Sequence, residues 1–496
     1  MLHKLYEITF DAKPKAEALY FKPTRDIVAE NTCFQLKPGD TVDLLTYFNA
    51  FSLKKWLKYT GLKQLAVRGT VEGRASIEAF GLNDTKNEIP LLKTEVSGDF
   101  ELNIPFQTQE MTLLGLKITA IDGFSVLSNF AYYGEFPQWK QQNIGVAITT
   151  YKREEYVLKT IDMLQRFAEA NPWLSIVVVD NGNTLEEKDD YHLRLLHNAN
   201  FGGSGGFSRG IIENMRNPLM DYMLLMDDDI ELEITALERT GSVLSALKPE
   251  YRESFFSGAM LNIDEPTRQI ERTAIWGGLR SAPHGVNDPL DKRESLLKGE
   301  NIPFVKNTYG SWWYCAIPVC SIRKMGLPLP VFIKGDDLEY GIRNGQEVLS
   351  LNGIGVWHEP FFKKYSTVTV YYWIRNGLML DIIHDVYGRF GITALCLARF
   401  GRNLLRDKIH FRMSCEAIKD FGRGLDVLVQ TPSDVKHAEI SRMGTDYSII
   451  AMTVSTLAAI IRIFFGYTGL RNSYKNFIRK NLITPDFWLR FLGVEQ

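Results

Sequence analysis

At 496 residues, with 45% hydrophobic and 23% charged residues, the chain is too long for one ordinary core and too apolar to be disordered, so two or three folded domains are expected. A formal charge of -2 gives no basis for a nucleic-acid binder. The charge is uneven: from Phe361 onward 19 Lys and Arg face 11 Asp and Glu, so the C-terminal part is basic. The opening Met1 to Ile8 lacks the basic start and continuous apolar stretch of a secretory signal. The five cysteines, Cys33, Cys315, Cys320, Cys396 and Cys415, are scattered and form no Cys-x-x-Cys pair, so reduced, mostly buried thiols in the cytoplasm are expected.

Residues 1–135 alternate apolar and polar positions between turn residues, as in Lys63 to Val71 and Phe100 to Ile104, which predicts an antiparallel, jelly-roll-like β-sandwich. Support of the next domain is favoured over glycan binding as its role. After Gly134 to Pro137 the pattern changes. Asn143 to Thr150 reads as a buried strand, Arg153 to Ala170 as a helix through Val157, Leu158, Ile161, Leu164 and Phe167, and Leu174 to Val179 as a second strand ending in Asp180, Asn181 and Gly182. Strand, helix and strand with short connections predict a parallel, Rossmann-like α/β sheet, whose ligands bind beyond the carboxyl ends of the strands. Thr150, Arg153 and Asp180 sit at such ends.

The glycine-rich Asn198 to Gly210 then runs into a helical Ile211 to Met215. Glycines let backbone approach a ligand, and a helix start offers N–H groups to an anion. There is no Lys-Ser/Thr ending, so this is not a P-loop, and the spacing does not fit the dinucleotide fingerprint. Next, the apolar Met223 to Met226 ends abruptly in Asp227, Asp228 and Asp229, as a buried strand does when it emerges at a sheet edge. Side chains two apart on an extended segment share a side, so Asp227 and Asp229 can converge on one Mg2+ or Mn2+ while Asp228 points elsewhere. A solvated acidic turn is the bland alternative. From Tyr371 to Asn376 the chain enters a mostly helical region in which Arg399, Arg402, Arg406, Lys408 and Arg412 recur. Its longest weakly polar run, Ser448 to Ile461, is interrupted by Arg462, short of the roughly 20 residues that span a bilayer. A buried helix and an interfacial one both stay open there.

The order of these motifs resembles the family 2, GT-A fold glycosyltransferases, and more narrowly the polymerising galactofuranosyltransferases of bacterial cell-wall galactan synthesis. The resemblance implies a β-sandwich over 1–135, a central α/β GT-A domain over 136–377 and a helical region over 378–496. It implies that Asp227, Asp229 and His358, which ends the apolar Gly355 to Trp357, hold Mn2+ or Mg2+. By the same resemblance Thr150, Arg153, Asp180, Asn200, Gly202, Gly203 and Asp228 bind a UDP-sugar donor, and the paired Trp312 and Trp313 position the acceptor. Asp337, the second acid of Phe332 to Gly341, corresponds to the general base, with Asp336 its neighbour. Aromatic faces suit sugar C–H groups, and a carboxylate can take a hydroxyl proton as the sugar bond forms.

The implied activity is inverting, metal-dependent transfer of galactofuranose from UDP-galactofuranose to a growing cell-surface glycan, with a lipid-linked acceptor included. The recurring cations from Arg399 to Arg412, with an amphipathic helix, predict peripheral attachment to the inner face of the cell membrane, a solvated basic face being the alternative, and a homo-oligomer is left open. Two alternatives stand beside it: another family 2 hexosyl- or rhamnosyltransferase of polysaccharide synthesis, and a non-catalytic glycan-binding scaffold.

Overall fold

The computed structural model describes residues 1–24, 29–30, 33–106, 110–278, 280–360, 366–429 and 433–494. Period-two alternation builds β1 (Leu2–Glu7), β2 (Gln64–Leu82), β3 (Glu88–Ile104), β4 (Leu113–Ala120) and β5 (Ser125–Glu135), the main strands of a nine-stranded antiparallel sheet. Strand β2 pairs with β3 along one edge; on its other edge it pairs with β5 up to Glu72 and with β4 from Ala75. The change of partner falls at Gly73, whose φ is +94° and where a Cβ would run into the carbonyl oxygen of Phe124. The expected sandwich is thus one hydrogen-bonded sheet that curls over its own core, with Tyr6, Phe51, Trp56 and Tyr132 packed ring against ring inside.

The central region follows with β6 (Ile144–Thr150), α1 (Glu154–Ala170), β7 (Leu174–Asp180), β8 (Leu193–His197), α2 (Gly202–Asn214), β9 (Tyr222–Asp227), β10 (Glu231–Leu232), α3 (Ile234–Ala246), β11 (Ala259–Asn262), β12 (Gln269–Glu271), β13 (Tyr314–Pro318), α4 (Asp336–Asn344) and β14 (Gly355–His358). Its seven-stranded sheet runs Lys188–Asp189, β8, β7, β6, β9, β13, Phe256–Ser257. Strands β8, β7, β6 and β9 are parallel, and the register sets Thr150 beside Asp180 and Thr149 beside Asp227, so three chain segments end at one level. A second sheet, ordered β10, β14, β11, β12, lies beyond that end.

The glycines of Gly202 to Gly210 are not a loop before a helix; they are the first turns of α2. A Cβ on Gly206 would strike the Thr149 side chain, and one on Gly210 would lie 2.8 Å from the Ala147 Cβ. Bare backbone lets the helix lie directly on β6, which draws the α2 start towards the end of β9.

The curled sheet and the central region share one hydrophobic core. Buried cations tie them further: Lys55 Nζ donates to the carbonyls of Gly299 (2.9 Å) and Ser350 (2.6 Å), and Arg239 donates to those of Phe48 and Gly353. Burial pushes the Lys55 ammonium down to about 8.

Helices α5 (Thr367–Ile383), α6 (Arg389–Leu404), α7 (Lys408–Arg423) and α8 (Ile449–Asn481) form the C-terminal bundle. Helix α8 corrects the expected apolar run ending at Ile461: it continues through Arg462 for 33 residues and, by length and composition alone, could cross a membrane. Only 22% of its apolar window is buried. Thr456, Ala459, Ile460 and Ile463 face the bundle, while Ile450, Val454, Leu457, Ile461 and Phe465 form an exposed apolar stripe.

Candidate active site

The acidic triplet begins on the last residue of β9 and continues into a turn, so the convergence of Asp227 and Asp229 comes from that turn rather than from strand alternation. Strand β10 follows at once and pairs antiparallel with β14, Glu231 opposite Trp357, which carries His358 back to the triplet. His358 Nε2 lies 3.0 Å from Asp229 Oδ1 and 3.8 Å from Asp227 Oδ2. One ligand atom from each of the three lies within 4.8 Å of the others. His358 Nδ1 hydrogen-bonds to the carbonyl of Glu359 at 2.6 Å, which fixes the ring with Nε2 towards the carboxylates. Two carboxylates and an oriented imidazole fit a divalent cation. Asp228 points away, as expected, and accepts from the Thr150 hydroxyl at 2.7 Å. Burial pushes its carboxyl up to about 6; the Thr150 bond opposes this and the charges of Asp229 and Asp227 add to it.

A cavity of about 620 Å³ opens on this edge, with Thr150, Arg153, Asn200, Gly202, Gly203 and Asp228 in its wall. Arg153 pairs with Asp229. Asn200 Oδ1 accepts from the Gly202 N–H at 3.1 Å, which shapes the start of α2. Asp180 stands back from the cavity: its carboxylate accepts from the N–H groups of Gly182 (2.7 Å), Thr184 (2.6 Å) and Leu185 (2.8 Å), so it braces its own loop while Asn181 takes a place in the wall. Helix Ser433–Ser441 adds Asp434 and His437 from far along the chain.

A second cavity, about 370 Å³, holds Asp336, Asp337, Trp312 and Trp313, and meets the first at Gly203, Phe207, Asp227 and Ile333. Its acids are presented by an unusual backbone. Ile333, Lys334 and Gly335 have φ of +48°, +70° and +94°, and two of the three carry a Cβ. Asn376, buried on α5, holds this segment by donating to the carbonyls of Ile333 (3.1 Å) and Lys334 (2.7 Å). Asp336 and Asp337 are thereby placed at the N-terminus of α4. Asp336 faces α2, where a Cβ on Gly203 would sit 2.8 Å from its Oδ2. Asp337 Oδ1 accepts from the Leu338 N–H at 2.7 Å and the carboxylate also takes a hydrogen bond from Ser311. Burial raises both carboxyls above the ordinary range.

Trp313 Nε1 donates to the carbonyl of Gly258 at 2.9 Å, whereas the buried Trp312 Nε1 has no partner among the described residues. Trp312 packs edge-on against Phe207 and Tyr340. The cavity also contains Glu271, Tyr309, Ser311, Lys334 and Trp373, which sequence reasoning passed over. Burial, then the charge of Asp337, pushes Glu271 up to about 7. A polar end to β12 gave no signal on its own; Ser311 was legible only as the neighbour of Trp312.

Further along α4, Glu339 is fully buried between Arg343, whose Nε lies 3.0 Å away, and His384, whose Nε2 lies 3.1 Å away. Burial opposes its charge, but Arg343 and His384 outweigh burial and hold it at about 2. A depressed carboxyl contributes stability that is complete above its unfolded pKa, roughly 4.3, and is lost as pH falls through the folded value. Glu339→Gln should therefore cost about 3–5 kcal/mol at pH 7 and flatten the acid dependence between about pH 4.3 and 2. Urea melts at pH 7 and pH 3 read both effects; a variant as stable as the parent at pH 7 removes Glu339 as the anchor of α4.

Residues 16–128 match the family model described as galactofuranosyltransferase 2 N-terminal, and residues 145–249 match glycosyl transferase family 2. Two curated relatives are galactofuranosyltransferase GlfT2 from Mycolicibacterium smegmatis, 27% identical over 392 residues, and from Mycobacterium tuberculosis, 26% identical over 389. Each match covers 71% of this chain but only 59% and 60% of the relatives' own length. Among solved structures, a mannosyltransferase from Pyrobaculum calidifontis in complex with GDP-Man and Mn2+ is 12% identical, with a TM-score of 0.34 over 66% of this chain and 88% of that one.

Proposed function

We infer that this chain, a family 2, GT-A fold glycosyltransferase related to the bacterial GlfT2-type galactofuranosyltransferases, transfers galactofuranose from UDP-galactofuranose onto a growing cell-surface glycan with inversion. The observation that carries this is the meeting of two cavities at Asp227: one bears Thr150, Arg153 and Asp228, the other Asp337 and the paired tryptophans. A donor in the first and an acceptor in the second would face each other across that carboxylate.

Asp227, Asp229 and His358 would hold Mn2+ or Mg2+, which supplies charge neutralisation to a departing nucleoside diphosphate. Thr150, Arg153, Asn200 and the backbone of Gly202 and Gly203 bind the diphosphate and uridine, with Arg153 offering its guanidinium to phosphate oxygen. Trp312 and Trp313 seat the acceptor ring. Asp337 takes the proton of the acceptor hydroxyl as its oxygen bonds to the anomeric carbon and the bond from that carbon to the diphosphate breaks. One displacement from the far face inverts the centre. Ser311 and the Leu338 N–H hold the Asp337 carboxylate in place for this. In this reading the sheet over 1–135 supports the catalytic region over 136–377, and the helices of 378–496 hold the protein peripherally on the inner membrane face through the exposed stripe of α8.

Sugar nucleotides presented with Mn2+ and a short galactofuranosyl acceptor test the whole. UDP release and acceptor growth by one or more residues are expected with UDP-galactofuranose. Growth only with another sugar nucleotide removes the galactofuranose assignment, and no UDP release with any donor removes the transferase one.

A further inference from the structure

We propose that the helix Ser433–Ser441 closes the donor cavity over the sugar to be transferred, with Asp434 and His437 hydrogen-bonding its hydroxyl groups; this rests on the transferase reading above. The helix comes from the C-terminal bundle, far along the chain from the strands that end at the acidic triplet, and its two sides do different things. Lys436 and Ile440, four positions apart, turn inward. Lys436 Nζ stands 2.9 Å from Asp420 Oδ2, a fully buried carboxylate of α7 that also accepts from the Tyr371 hydroxyl at 2.7 Å. Asp434, His437 and Ala438, at spacings of three and four on the opposite side, line the cavity of about 620 Å³. The buried ion pair fixes the helix, and the helix presents an exposed carboxylate and an imidazole to the donor.

Packing sets the plane of the His437 ring. It stacks on Tyr372 with 5.9 Å between centroids and 21° between planes, and it meets Phe332 at 5.3 Å. Its enclosed Nδ1 has no hydrogen-bond partner among the described residues. An apolar ring would fill the same space without that cost, so packing does not account for an imidazole here. Burial holds the ring below the ordinary histidine value, so at pH 7 it is neutral, with one nitrogen to donate and one to accept. A half-turn about the Cβ–Cγ bond keeps the stacking and carries Nδ1 to the other edge of the ring, with no Nδ1 hydrogen bond to break.

Chemistry and position identify the part of the donor. A carboxylate beside the diphosphate would repel it, whereas a carboxylate and a neutral imidazole together suit hydroxyl groups. The two cavities meet at Gly203, Phe207, Asp227 and Ile333, and the anomeric carbon has to lie at that junction to face the acceptor. Phe332, the neighbour of Ile333, packs its ring against His437 and against the bare backbone of Gly202, where a Cβ would lie 2.8 Å from its Cδ2. The imidazole thus borders the sugar end, with Thr150 and Arg153 left to the nucleotide. The ribose of the nucleotide also carries hydroxyls, so the test separates the two sources.

Calorimetry on the full chain, with Mn2+ and no acceptor, compares UDP-galactofuranose, its monodeoxy analogues and UDP. His437→Phe keeps a ring against Phe332 and Tyr372 but removes both nitrogens, and Asp434→Ala shortens an exposed side chain. Each should weaken UDP-galactofuranose about tenfold and leave UDP within about twofold of the parent. The parent should bind one monodeoxy analogue about tenfold more weakly than the full sugar nucleotide, and H437F should bind those two equally. Unchanged UDP-galactofuranose affinity in either variant overturns the role of that residue, as does an H437F that discriminates among the analogues as the parent does. An equal loss of UDP in a variant that melts with the parent assigns the helix to the ribose and overturns the proposal. An H437F that does not fold leaves Asp434→Ala to decide. Should transfer prove to use another sugar nucleotide, that donor takes the place of UDP-galactofuranose in the same comparison. A parent that binds no sugar nucleotide sinks the transferase reading and this proposal with it, whereas variants that bind the donor as the parent does sink this proposal alone.

Discussion

Asp337→Asn should lower turnover by about 10²–10⁴-fold while UDP and Mn2+ affinity change little. The amide oxygen can still accept from the Leu338 N–H and Ser311, so the start of α4 should hold, but it cannot take a proton. Because burial raises the Asp337 carboxyl, the parent's kcat/KM should fall on the acid side with a midpoint above the ordinary carboxylate range. Above that midpoint the carboxylate is ionised and competent; below it, the acceptor proton has nowhere to go. Pre-steady-state turnover with nucleotide binding measured in parallel separates the two effects. Retained turnover removes Asp337 as the base, and turnover lost together with UDP binding points to a collapsed site.

Asp229→Asn should weaken divalent-cation binding by more than the roughly 10–100-fold that outer-shell losses cost, and transfer should fall with it. Asp229 carries two loads, since one oxygen faces His358 and the other pairs with Arg153. Asp228→Asn is the control: its carboxylate faces Thr150 rather than His358, so cation affinity should stay within a few-fold of the parent. Mn2+ titration followed by electron paramagnetic resonance, with UDP present, reads both variants. Equal loss in Asp228→Asn and Asp229→Asn would mean the triplet acts as a diffuse acidic patch rather than a ligand set.

Much of this architecture is legible in local pattern. Unbroken apolar runs in Ile144–Thr150, Leu174–Asp180 and Tyr222–Asp227 mark strands buried on both faces, and such strands occur in parallel sheets covered by helices. Their polar ends then have to gather at one edge. Alternation marks the first 135 residues as antiparallel, but not that they form one curled sheet whose core continues into the next region, because period two states which face is buried and not what covers it.

What sequence alone determined here is the inventory and its order: strands, the acid triplet, the paired tryptophans, the two acids at the head of α4 and His358 at the end of an apolar run, since these depend on neighbours within a few positions. Tertiary structure decided the distances. The pairing of β10 with β14 brings His358 to Asp229, bare glycine backbone lets α2 lie on β6 and meet Asp336, and Asn376 clamps the left-handed turn that aims Asp337. It also withdrew Asp180 into its own loop, brought His437 to the first cavity and left one side of α8 open to solvent. Each of these depends on contacts between segments far apart in the chain, where the free energy lies in packing and pairing that no local spacing encodes.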